Sequence, residues 1–111
     1  MVFIEATAFT RRLRQLAGAS EEGLLRQIQN DLLQNPERGA VVRGLGGIRK
    51  ARVRNPTRGK GKRGGYRYFY LYLQHRGHTH LLLLLDKNEQ EDLASAQRAI
   101  LRQMVTEIKR T

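Results

Sequence analysis

Lys50, Arg52 and Arg54 alternate with Ala51 and Val53. Successive side chains of a β-strand point to opposite faces, so the three cations would share one face and the small apolar residues the other. A solvated face beside a core face is the ordinary meaning of such alternation. Here the row runs on into Arg58-Gly59-Lys60-Gly61-Lys62-Arg63-Gly64-Gly65 and Arg67, with no acid between. From Arg38 to Arg76 there are twelve Lys or Arg and no Asp or Glu. Like charges this dense repel unless a polyanion neutralises them, so phosphate contact outweighs solvation and a nucleic acid is the expected polyanion.

The segment from Arg58 to Gly65 pairs four cations with four glycines. Glycine lets backbone N–H groups approach phosphate closely while the cations neutralise it. It is not a P-loop, because Lys60 and Lys62 are followed by Gly and Arg rather than by Ser or Thr. As a contact to a nucleic-acid backbone it is reasonable; a flexible, solubilising hairpin loop is the plainer alternative. Arg49 lies in the same basic run.

Tyr66, Tyr68, Tyr70 and Tyr72 would line one face of the next strand, with Arg67, Phe69, Leu71 and Leu73 on the other. Tyrosines beside a basic patch can stack on unpaired bases, and they also suit a half-buried strand. The second reading is favoured for Tyr70 and Tyr72, and both stay open for Tyr66 and Tyr68. Alternation puts Arg67 among apolar residues, so it lies either at the strand's exposed entrance or partly buried with a partner. His75, His78 and His80 cluster at a turn, but no third metal ligand is placed by spacing, so no metal site is expected. General acid–base work is conceivable for histidine near neutrality, yet exposed turn histidines are commoner. Asp86-Lys87-Asn88-Glu89 is a polar cluster at a strand end, a frequent place for site residues and equally an ordinary turn.

The elements that must carry these residues follow from periodicity. Val2 to Ile4 reads as a strand. Phe9, Leu13 and Leu16 recur at helical spacing with Thr7 as N-cap, and Gly18 stops that helix. Ser20 would cap a second helix whose stripe is Leu24, Ile28 and Leu32, widened by Leu25 and Leu33, and ended by Asn35-Pro36. Arg38 to Gly47 reads as a connector, Ile48 to Arg54 as a strand, Asn55 to Gly65 as a loop. Tyr66 to Gln74 and His78 to Asp86 form a hairpin around Gly77. The unalternating run Leu81 to Leu85 implies a strand covered on both faces. A final helix carries Leu93, Ile100, Met104 and Ile108, with Ala96, Leu101 and Val105 beside them, and Asp92 or Ser95 as its cap. The expected class is α+β, in the order β-α-α-β-β-β-α: a helical hairpin on a mainly antiparallel sheet, then a C-terminal helix.

The chain's 111 residues suit one domain over 1–111. Its net charge of +11 agrees with phosphate binding. There is no cysteine, hence no disulfide or thiolate metal site. No bilayer-length apolar run and no signal-peptide pattern occurs, so a cytoplasmic protein without a membrane partner is expected.

Taken together, Asn35-Pro36-Glu37-x-Gly39, Gly44-x-Gly46-Gly47-x-Arg49-Lys50-x-Arg52-Val53, Gly59-Lys60-Gly61-Lys62-Arg63-Gly64-Gly65-x-Arg67 and Lys87-Asn88-Glu89-x-x-Asp92-Leu93 resemble the RelE/HigB-like toxins of bacterial type II toxin–antitoxin systems, most nearly the HigB branch. The resemblance spans nearly the whole chain in order. It implies a compact RelE-like fold and a ribosome-dependent mRNA endonuclease that cuts in the A site by attack of the RNA's own 2′-hydroxyl, leaving a 2′,3′-cyclic phosphate without metal or other cofactor. It implies ribosome and mRNA as partners, and a cognate helix-turn-helix antitoxin through which operator DNA is reached only indirectly. By position, Arg52, Arg54 and Arg67 would stabilise phosphate and transition state, with Lys50 as general base. A lysine's ordinary pKa of about 10.4 must fall for that role, and cationic neighbours push it down. Arg49, Arg58, Lys60, Lys62, Arg63, Lys87 and Asn88 would hold RNA, joined by Tyr66 and Tyr68 if these stack. The chain departs from RelE at Asn88, where RelE has arginine, and at Ala94, where RelE has tyrosine. Two other classes compete: a basic domain that binds nucleic acid without cutting it, and a ParE-like relative that poisons DNA gyrase.

Overall fold

The computed structural model describes residues 1–54, 65–90 and 92–111. The fold is α+β. Its elements are β1 (Val2–Glu5), α1 (Thr7–Ala17), α2 (Glu21–Gln34), β2 (Ala40–Val41), β3 (Arg49–Val53), β4 (Tyr66–Leu73), β5 (His78–Asp86) and α3 (Ser95–Arg110). They form one five-stranded sheet in the order β1-β5-β4-β3-β2. β2, β3, β4 and β5 pair antiparallel in turn, and β1 lies parallel to β5.

The sheet is covered on both faces, which accounts for the sequence of its central strands. On one face Phe9, Leu13, Leu24, Ile28 and Leu32 of the helical hairpin pack on Ala51, Val53, Tyr66, Tyr68, Tyr70, Leu81 and Leu84. On the other, Leu101 and Val105 of α3 join Val42, Leu45, Ile48, Phe69, Leu71, Leu73, Leu82 and Leu85. The leucine run of β5 therefore feeds two cores, as a doubly covered strand requires. A register irregularity opposite Phe69 and Tyr70 adds one residue to β5 between Leu81 and Leu83.

Local signals end the elements. Gly18 closes α1 at φ 53° and donates its N–H to the Arg14 carbonyl. Asn35 is extended and Pro36 follows, so α2 stops at Gln34. Gly77, left-handed at φ 65°, turns β4 into β5 after a 3₁₀ turn at Gln74–Arg76.

Several expectations need correction. The connector contains β2, whose two residues pair with Arg49 and Lys50 and are too few to show a period. Ala6, not Thr7, is the N-cap of α1. α3 starts after Ala94 rather than at an Asp92 or Ser95 cap; the Ala94 N–H donates to Gln97 Oε1 at 2.8 Å. Leu33 and Ile100 are exposed, so the stripes of α2 and α3 are narrower than read.

Gly39 carries a prediction. A Cβ there would meet the Lys50 carbonyl oxygen at 2.7 Å and Tyr70 Cε1 at 3.0 Å. The first is backbone and cannot swing away. Gly39→Ala should cost about 1–3 kcal/mol by overpacking, read as a lower denaturation midpoint at unchanged m-value.

Candidate nucleic-acid interface

β3 owes its orientation to Ala51 and Val53, which are buried against the helical hairpin. Alternation then sends Lys50 and Arg52 to the opposite face. Arg52 and Arg54 are exposed and Lys50 is half-buried. The β3–β4 register sets Arg52 directly opposite Arg67, and Lys50 opposite Phe69. Arg67, half-buried, is in turn opposite Leu85. The sequence's open question about Arg67 thus resolves into a partly covered side chain on the same face as Lys50 and Arg52.

Like charges directly opposite across a ladder destabilise a sheet. Ion pairs between described residues join Arg12 to Glu89, Arg14 to Glu21, Arg38 to Asp31 and Arg49 to Glu37. None reaches Lys50, Arg52 or Arg54, whose side chains make no hydrogen bond or ion pair to another described residue. An anion laid across this face would meet Lys50, Arg52 and Arg54, which no described acid neutralises.

The turn after β5 lies at the same end of the sheet, because Tyr66 pairs with both Val53 and Asp86. The Lys87 N–H donates to the Gly65 carbonyl at 3.2 Å. The Asp86 carbonyl accepts the N–H groups of Glu89 and Gln90, and its side chain accepts that of Asn88 at 2.9 Å. Arg12 of α1 ties this turn down through the Leu84 carbonyl at 3.4 Å and Glu89 at 3.5 Å. Lys87 is half-buried and Asn88 exposed, both beside the strand that carries Arg67.

Three of the expected contacts are overturned. Tyr66 and Tyr68 are 4% and 0% exposed in the core beneath the helical hairpin, so neither ring can stack on a base. Arg49 points away from the cationic row. Its guanidinium donates to the Glu37 and Gly39 carbonyls at 3.1 and 2.7 Å and pairs with Glu37 Oε2 at 3.4 Å. It holds the segment after α2 in place from a half-buried position. Arg58, Lys60, Lys62 and Arg63 lie outside the described residues.

The buried tyrosines have a different use. Tyr70 Oη donates to the Pro36 carbonyl at 2.8 Å and accepts the Gly39 N–H at 3.0 Å. Tyr68 Oη accepts from Arg38 at 3.0 Å. Burial pushes the Tyr68 phenol up to about 12, against the opposing pull of Arg38, so it stays neutral. Burial likewise raises Tyr70, against the Gly39 hydrogen bond and the charges of Arg49 and Arg38. Both phenols lock the Asn35–Gly39 segment onto the sheet behind the cationic face.

The histidines stand apart. His78 and His80 meet edge-on at 6.1 Å, opposite Leu73 and Leu71, toward the Gly77 end of the hairpin. Burial lowers the His80 pKa, with His78 and Arg76 adding to the effect. Among the described residues no group of three potential metal ligands occurs, and no helix is long and apolar enough to cross a membrane.

No protein-family model matches the chain. Among solved structures, it resembles a free-state mutant of the E. coli toxin RelE, with 18% identity, 81% of this chain and 86% of that chain covered, and a TM-score of 0.57. The intact E. coli RelBE toxin–antitoxin complex matches at 18% identity over 75% of this chain and 92% of that one, TM-score 0.54. The isolated E. coli RelE toxin matches at 14% identity over 93% and 97%, TM-score 0.56. The chain therefore has a RelE-like fold, and at these identities the likeness is one of architecture.

Proposed function

We propose that this protein is a ribosome-dependent mRNA endonuclease, a toxin of the HigB branch neutralised by a cognate helix-turn-helix antitoxin. The observation that carries the reading is the cross-strand pair of exposed Arg52 and half-buried Arg67, with Lys50 and Arg54 beside Arg52 on the same strand. The RelE-like fold and the basic motifs from Gly44 to Arg67 support it.

In the proposed reaction the mRNA 2′-oxygen forms a bond to the adjacent phosphorus as the bond to the 5′-oxygen breaks. The amine of Lys50 takes the 2′-hydroxyl proton. Arg52 and Arg67, one on each strand of the ladder, stabilise the charge that accumulates on the non-bridging oxygens. Arg54, Lys87 and Asn88 hold flanking phosphates. The leaving 5′-oxygen takes a proton from solvent, and a 2′,3′-cyclic phosphate remains. Guanidinium is suited to the clamp and unsuited to the base role, because it stays protonated.

Expression without antitoxin tests the assignment. Growth should stop with mRNA cut at translated codons, and a block to translation initiation should protect the message. Intact mRNA together with DNA damage would instead indicate a gyrase-directed toxin.

A further inference from the structure

β3 carries the cationic row, yet β2 reaches only its first two residues, Arg49 and Lys50. Beyond Lys50, β3 pairs with β4 on one side and with no described strand on the other. Such an edge leaves outward backbone groups without a strand partner, and Arg52 sits on it opposite a like charge.

One side chain closes that edge. Arg38 Nη1 donates to the Arg52 carbonyl at 3.2 Å and to Tyr68 Oη at 3.0 Å. The same nitrogen lies 3.9 Å from Asp31 Oδ2. Arg38 follows the Asn35–Pro36 stop of α2, a segment itself pinned by Tyr70 and Arg49. The guanidinium therefore connects α2, β4 and the backbone of β3 at one point.

We propose that Arg38 is a positioning residue that fixes the β3 edge at Arg52, holding the Arg52 side chain in register with Arg67 without touching the RNA. The inference rests on the endonuclease reading for its kinetic consequence and on the hydrogen-bond geometry alone for its structural one. Tyr68 supplies an internal control. Its hydroxyl anchors Arg38 from a fully buried site, so a Tyr68→Phe effect on cleavage cannot come from a contact of Tyr68 itself with RNA.

The test uses the full chain and single-turnover cleavage of mRNA on programmed ribosomes. Arg38→Ala should lower the rate at saturating toxin about tenfold, the equivalent of one charge-assisted hydrogen bond, with the half-saturating concentration unchanged. Tyr68→Phe should fall the same way, by about threefold. Arg38→Ala placed on Arg52→Ala should add nothing, since its effect passes through Arg52. In parallel, amide hydrogen exchange at residues 51–54 should quicken in both single variants, more than in β5. A raised half-saturating concentration with the rate retained, or losses that multiply in the double variant, would make Arg38 an RNA contact and overturn the proposal. Unaltered exchange at residues 51–54 would overturn it too, whether or not the protein cleaves RNA. Absence of cleavage by the unmodified protein would defeat the endonuclease reading alone and leave exchange to decide. Should Arg38→Ala fail to fold, Tyr68→Phe decides both arms.

Discussion

Arg52→Ala and Arg67→Ala should each cut the rate of ribosome-dependent cleavage by about a hundredfold or more, the usual cost of removing one preorganised donor from developing oxyanion charge. The two residues are direct cross-strand partners. They would act on one phosphate, so the double variant should lose less than the product of the single losses. Ribosome affinity, which many surface cations share, should weaken only a few-fold. That split separates an enzyme from a binder. A domain that only occupies RNA would show weaker, more salt-sensitive binding and no rate to lose. The measurement is single-turnover cleavage at saturating toxin beside an independent ribosome-binding titration.

Lys50→Ala should be comparably severe, about a hundred- to ten-thousandfold in rate, if its amine takes the 2′-hydroxyl proton. The pH profile is the more discriminating readout. A free amine is the active form of a general base, so the log of the rate should climb with pH in the unmodified protein. It should flatten in Lys50→Ala, where no side chain remains to deprotonate. Lys50→Arg, which keeps the charge but not a usable base, should resemble the alanine variant. If Lys50→Arg instead retains most of the activity, Lys50 is another phosphate clamp, and proton removal belongs elsewhere. Half-burial of Lys50 beside Phe69, on the face opposite the helical hairpin, is the setting such a role needs.

How far the sequence foretold this arrangement depends on the range of the contact. β4 and β5 were legible to within a residue, because Tyr66 to Leu73 and the leucine run carry a strand's pattern and Gly77 marks the turn. The shared face of Lys50 and Arg52 followed from alternation alone. The same rule already assigned Arg49 to the face of Ala51 and Val53, where it is found tied to Glu37 and Gly39. Tyr66 and Tyr68 could not be placed this way. Alternation says which side chains share a face, not which face a helix covers. Their cross-strand partners Val53 and Ala51 identify the covered face, but that register appears only once the strands are paired. β2 has two residues and hence no period. Arg38 and Arg12 left no local trace, since they act across 30 and 72 residues of chain. Such contacts come from topology, which short-range patterns do not encode.

The proposed role of these cations, to stabilise an in-line attack by RNA on itself, has one decisive chemical outcome. The direct measurement is the 3′-end chemistry of mRNA incubated with the purified protein and translating ribosomes. Fragments ending in a 2′,3′-cyclic phosphate, formed only with ribosomes and lost in Arg52→Ala, are the predicted result. Uncut mRNA, or fragments ending in a 3′-hydroxyl, would contradict it.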